Sequence, residues 1–113
     1  FSLAQFNLAV MYQKGLGTKR APEKAVEWMR KAADNKYARA QLVLGSWYEK
    51  GFGVPRDPVD AMMWYFIAQA STKGKLKKSA DKRIVKLQKA LSRGQIEAAD
   101  AAAKGYLKSR GAK

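Results

Sequence analysis

The chain has 113 residues, 47% of them hydrophobic, and a formal net charge of +14, which fits one globular domain with a modest core and a general attraction for polyanions. It contains no cysteine and no histidine, so disulfides and thiolate metal sites are excluded, and the usual general base and commonest metal ligand are missing. No catalytic, cofactor or metal residue is expected, and since no apolar run approaches the roughly 20 residues of a membrane helix, the chain is expected to be soluble.

From Ser2 to Lys14 the apolar residues Leu3, Phe6, Leu8, Met11 and Tyr12 fall on helical spacing, with small Ala4 and Ala9 between them. This predicts a first helix, opening so close to Phe1 that a signal peptide or an earlier repeat is expected upstream. Gly15-Leu16-Gly17 should end it, because glycine accepts the left-handed backbone common after a last helical turn. Pro22 stands where a helix loses nothing by lacking an N–H. A second helix follows, with Ala25, Val26, Trp28, Met29, Ala32 and Ala33 inward and Asp34-Asn35-Lys36 as its return turn.

The same pattern begins again at Tyr37: a helix to Lys50, a loop Gly51-Phe52-Gly53-Val54-Pro55, then Asp57 and Pro58 opening a fourth helix. Asp57 can accept an unpaired N–H at the helix start, whereas the corresponding Ala21 cannot. The first unit's second helix should therefore fray more readily. Within the fourth helix, Tyr65, Phe66 and Ile67 replace Met29, Arg30 and Lys31, so two charged surface positions have become apolar and the tail must cover them.

In the tail, Leu76, Ala80, Ile84, Leu87 and Leu91 form one stripe over Lys75 to Leu91, with Lys78, Lys82, Lys86 and Lys89 opposite. Ser92-Arg93-Gly94-Gln95 has the spacing of a capping box. It opens a last helix with Ile96, Ala99, Ala103, Tyr106 and Leu107 inward, and Ser109 to Lys113 should fray. Residues 73–113 carry thirteen Lys/Arg against three Asp/Glu, and residues 1–72 carry ten against six. The tail holds most of the charge.

Matching positions recur at one spacing, among them Ala4/Ala40, Leu8/Leu44, Ala9/Gly45, Tyr12/Tyr48, Gly15/Gly51, Gly17/Gly53, Ala25/Ala61, Trp28/Trp64 and Ala32/Ala68, each pair 36 apart. Such a period marks a solenoid, in which each unit buries its apolar face on its neighbour. The expected organisation is a single domain over 1–113, with repeat 1 at about 2–36, repeat 2 at about 37–74 and a capping helix pair at about 75–109. Since arrays of this kind need about three units, the cap should count as the third.

Alanine, Leu-Ala/Gly, Tyr, Gly-x-Gly and Ala-x-x-Trp-x-x-x-Ala at this spacing resemble the Sel-one-like repeat, a relative of the tetratricopeptide repeat. The resemblance covers roughly Leu3 to Gly74. The second unit matches nearly in full through Gly51-Phe52-Gly53-Val54, Asp57, Ala61, Trp64 and Ala68. The first departs at Thr18 and Ala21, where the family usually has Val and Asp. The resemblance implies an all-α fold, a right-handed α/α superhelix of two helix-turn-helix repeats plus a C-terminal helical cap. Its concave side would be lined by the first helix of each unit and would bind a protein or peptide. Members of the family act as adaptors and scaffolds, many of them bacterial and often exported or in the cell envelope.

The matched residues read as structural, so partner contacts are expected at the positions between them: Gln5, Asn7, Val10 and Gln13, then Gln41, Val43, Ser46 and Glu49. Trp47 is large enough to anchor a partner, although its position is apolar in both units and core is the better account. The row Lys78, Lys82, Lys86, Lys89 and Arg93 offers a competing, polyanion-binding reading in which each phosphate contact adds salt-dependent affinity. It lacks the aromatics that would stack bases. Asp57 with Asp60 and Glu97 with Asp100 read as helix-start charges. Self-association is expected, if anywhere, at the Phe1 end, and a third reading makes the repeats a structural spacer.

Overall fold

The computed structural model describes residues 1–17 and 19–110, and within them the chain forms six helices. These are α1 (Ser2–Lys14), α2 (Pro22–Asp34), α3 (Ala38–Lys50), α4 (Pro58–Ser71), α5 (Gly74–Gln88) and α6 (Arg93–Ser109). Consecutive helices pack in order from α1 to α5, and α6 packs on α4. The result is an α/α solenoid.

The repeat seen in the sequence is a repeat of hydrogen bonds. Gly15 and Leu16 donate their N–H groups to the Met11 carbonyl at 2.8 and 3.0 Å, and Gly51 and Phe52 donate to Trp47 at 2.8 and 2.9 Å. Gly15 and Gly51 adopt φ of 74° and 82°, the left-handed geometry that glycine reaches without a Cβ clash. Each loop then returns to its helix: the Ala21 N–H donates to the Tyr12 carbonyl and the Asp57 N–H to that of Tyr48, at 2.9 and 2.8 Å. The two loops thus deliver α2 and α4 in the same orientation relative to α1 and α3.

Helix starts differ as the side chains dictate. Asp57 Oδ1 accepts from the N–H groups of Val59 and Asp60, both at 3.1 Å, whereas Ala21 makes no side-chain cap. At Ser92 the capping box is complete: its Oγ accepts from the Gln95 N–H and Gln95 Oε1 accepts from the Ser92 N–H.

Two apolar clusters form the core. One joins the first repeat to α3 and α4 through Ala9, Met29, Leu44, Trp47, Trp64 and Ile67. The other sets Leu42, Met62, Tyr65 and Ala68 against Ala80, Ile84, Leu87 and Ala99 of the tail. Trp64, Tyr65 and Ile67 are buried and Phe66 half-buried, while Arg30 and Lys31 are exposed. The tail covers the additional apolar face of α4. Trp28, by contrast, stays half-buried with the Lys31 ammonium 4.2 Å from its ring centroid, while Trp64 lies under Tyr106 with ring centroids 5.2 Å apart.

The tail departs from the expected arrangement in three respects. Its two helices each pack on α4 more than on one another, so they straddle α4 and do not stack as a third hairpin. Helix α5 runs from Gly74 to Gln88 and stops short of Leu91, because the chain turns at Lys89 and Ala90. Ser109, expected to fray, is helical: its Oγ donates to the Tyr106 carbonyl, and Arg110 lies 3.4 Å from Asp34. Residues 111–113 and Thr18 lie outside the described residues. Asp34 belongs to α2, not to the turn, and Tyr37 precedes α3 as its N-cap.

Candidate functional site

The surface positions of α1 and α3 separate into two groups. Asn7 is exposed, and Val43 and Ser46 are half-buried at successive turns of α3, with Val43 resting its inner side on the first core cluster. Val10 and Gln13 are half-buried as well. Gln5 is half-buried, and its Oε1 accepts from Asn35 Nδ2 at 2.8 Å, which ties α1 to the turn after α2. Glu49 accepts from the Tyr65 hydroxyl at 2.6 Å.

Two expected contact residues are not on the surface. Gln41 is 1% exposed, with its Nε2 donating to the Ala33 carbonyl at 3.1 Å, so it closes the C-terminal end of α2 and is not presented on the outer face of α1 and α3. Trp47 is 4% exposed, stacked at a tilt on Phe52 with centroids 4.9 Å apart. It fills the core, as its apolar counterpart in the first unit indicated. Asn7, Val43 and Ser46 remain accessible, as do Val10 and Gln13, while Gln5 and Glu49 are engaged by bonds within the chain.

Lys78, Lys82, Lys86, Lys89 and Arg93 are all exposed. The first three lie on α5 and Lys89 is its C-cap, and Lys82, Lys86 and Lys89 border a shallow recess with Asp81 and Val85. Asp81 is held below the usual carboxylate range by the amide of Gln69 and by Lys77, and it pairs with Lys77 at 3.5 Å. Arg93 belongs to the next helix, where it pairs with Glu97 at 3.7 Å, so the row is continuous only as far as Lys89. Asp60 has its pKa raised by burial and by Asp57, and both carboxylates remain part of the start of α4.

A further feature was not visible in the sequence. Where α2, α4 and α6 end, a cavity of about 350 Å³ is walled by Ala33, Ala70, Tyr106 and Leu107, with Gln41 at its side and Lys36, Lys104, Lys108 and Arg110 around it. Its residues come from four helices and were read separately as a turn, a helix face and a fraying end. Among the described residues no helix is long and apolar enough to cross a membrane.

The chain is similar to several repeat proteins. Over 38 residues it is 50% identical to a sel1-like repeat-containing protein, L18, of Acanthamoeba polyphaga mimivirus, a match covering 32% of this chain and 6% of that protein. The crystal structure of c5321, a protective antigen of uropathogenic Escherichia coli with an SLR fold, superposes with a TM-score of 0.86 at 31% identity, over 96% of this chain and 22% of the other. A Sel1 repeat protein from Oxalobacter formigenes gives a TM-score of 0.65 at 36% identity, over 73% of this chain and 62% of its own. The chain therefore spans well under two thirds of the length of the first two relatives. The Sel1 repeat model matches residues 2–37 and 38–68, more than half of the chain and in the register of the two helix pairs. The chain belongs to the Sel1 repeat family, whose repeats generally mediate protein–protein interaction.

Proposed function

We propose that this chain is a non-catalytic adaptor module that holds a protein or peptide against the face of α1 and α3, through Asn7, Val43 and Ser46 with Gln5 at the margin. One observation supports this reading above the others. Residues matched between the repeats at Ala25/Ala61 and Ala32/Ala68 are wholly buried, as are Leu44 and Ala40 of the second unit, although their counterparts Leu8 and Ala4 are half-buried and exposed on α1, while Asn7 and its counterpart Val43 differ in kind and reach the surface. Side chains needed for packing are thus segregated from side chains free to vary. Val43 contributes an apolar contact without leaving the core it rests on, which costs the free protein little.

The test is a nuclease-treated pull-down from source extract at low and moderate salt, with the wild type beside a triple variant Asn7→Ala, Val43→Asp, Ser46→Arg. A small set of proteins retained at moderate salt by the wild type and lost by the variant is the expected result. Retention unchanged in the variant rules out this face.

A second reading is supported by the exposed lysine row of α5. There the chain adheres to polyanions, and binding to a nucleic-acid or heparin column collapses between low and moderate salt and with Lys82→Glu and Lys86→Glu. A spacer shows neither response. Self-association belongs to the α1 end, where Phe1, Leu3, Met11 and Leu16 are exposed; sedimentation at rising concentration checks it.

A further inference from the structure

We propose that the cavity at the ends of α2, α4 and α6 binds the carboxyl terminus of a partner peptide whose last residue is apolar. It uses none of the exposed positions on α1 and α3, so it stands or falls separately from the adaptor face.

The cavity, about 350 Å³, matches one bulky side chain and the backbone around it, and its walls are apolar where Ala33, Ala70 and Leu107 meet. Four cations and one carboxylate, that of Asp34, line it. Two of the cations are already compensated, since Lys104 pairs with Asp100 at 3.0 Å and Arg110 with Asp34 at 3.4 Å. Lys36 and Lys108 have no carboxylate within salt-bridge distance among the described residues. The carbonyl ends of the three helices supply some negative potential, each roughly half a unit. Much of it is answered locally: the Ala33 carbonyl accepts from the Lys36 N–H and Gln41 Nε2, Ile67 from Ser71 Oγ, and Tyr106 from Ser109 Oγ and the Arg110 N–H. Two ammonium groups beside an apolar recess are left for an external anion.

Gln41 selects among anions. It is wholly buried in the cavity wall, its Nε2 is engaged by Ala33, and its Oε1 accepts from no described group. A buried amide oxygen without a donor is costly to leave so. An incoming peptide answers it with its last backbone N–H after a rotation of the Gln41 side chain, while the terminal carboxylate meets Lys36 and Lys108. A simple fatty acid carries the carboxylate and the apolar body but no such donor. Lys36 itself holds φ of 67°, a left-handed conformation that glycine would adopt without strain.

The experiment follows amide signals of the ¹⁵N-labelled 113-residue chain by NMR during titration with N-acetyl-glycyl-glycyl-leucine, its C-terminal amide, hexanoate and acetate. The free-acid peptide should shift Lys36, Gln41, Ser71 and the end of α6, and should bind roughly tenfold more tightly than either the amide or hexanoate. Lys36→Gly and Lys108→Gln should each weaken it roughly three- to tenfold. Lys36→Gly relieves the strained backbone and should hold or raise the melting temperature, so lost binding there cannot be lost folding. Equal binding of acid and amide, equal binding of hexanoate or acetate, shifts confined to the exposed positions of α1 and α3, or no shifts at about 10 mM peptide each overturn the proposal.

Discussion

At the scale of single residues, the two units differ by exchanges that compensate one another. A Cβ built on Gly45 would lie 2.6 Å from Cε1 and 2.8 Å from Cδ1 of Tyr65, inside any tolerable contact. The corresponding pair in the first unit is Ala9 with Met29, both wholly buried in one cluster. The larger ring in the second unit therefore goes with the smaller residue facing it. Gly45→Ala should lower stability by about 1–2 kcal/mol, since overpacking outweighs the roughly 1 kcal/mol gain in helix propensity. In a Tyr65→Met background the same change should cost nothing or stabilise. Urea midpoints of the four proteins of this cycle check the coupling, and additive effects would show that the ring and the glycine are independent. Tyr106 gives a second prediction at this scale. Its hydroxyl donates to Asp34 Oδ1, and its pKa is pushed up to about 12 by burial first and then by that carboxylate. A phenol raised above its ordinary value near 10 contributes stability that is whole below about pH 10 and is lost as pH rises toward 12. Tyr106→Phe should cost about 1 kcal/mol at neutral pH. It should also flatten part of the decline measured between about pH 10 and 12, the remainder belonging to Tyr65, whose pKa is raised in the same direction by burial and Glu49.

At the scale of elements, the missing cap of α2 can be tested by supplying it. Ala21 has φ −141° and ψ 89°, and Asp57 has φ −144° and ψ 93°, each followed by proline at the first turn. The backbone at Ala21 is already shaped for an Asp side chain to accept two N–H groups. Ala21→Asp should stabilise by about 0.5–1 kcal/mol and Asp57→Ala should destabilise by about 1 kcal/mol, read from thermal unfolding. A null effect of Ala21→Asp would mean that its loop, unlike the second, does not hold this geometry in solution. These helices and their loops were legible in the sequence because the signals are local: glycine after a helix, proline at its start, apolar residues at steps of three and four. The ends of α5 and α6 were less so. Leu91 continues the apolar stripe, yet the chain turns before it; Arg110 pairs with Asp34, far away in sequence, while Ser109 Oγ bonds the Tyr106 carbonyl within the same helix. The burial of Gln41 was also missed, although a signal was present. Gln5 and Gln41 are identical and 36 apart, and both bond to the end of α2, at Asn35 and Ala33. The two bonds are not equivalent in the repeat, since Gln5 meets the Asn35 side chain within its own unit and Gln41 the Ala33 carbonyl of the preceding one, but both hold a polar side chain against the same helix end.

At the scale of the whole molecule, the repeat register and the solenoid followed from one spacing. The placement of the tail did not, since nothing local says that α5 and α6 straddle α4. That placement makes α4 the hub. It packs against α3, α5 and α6 and buries six residues, whereas α1 packs chiefly against α2 and buries only Ala9. In a solenoid, stability is close to a sum of unit and nearest-neighbour contributions, so opening should be graded along the chain. Hydrogen exchange should find the slowest amides in α4, intermediate ones in α2, α3 and α6, and the fastest helical amides in α1. The Tyr106 contact spans 72 residues and joins α6 to the end of α2. Tyr106→Phe should therefore speed exchange in α6 and the last turn of α2 together while leaving α1 unchanged. Uniform protection of all six helices would instead identify one cooperative unit, in which the tail is as much a part of the core as the repeats are.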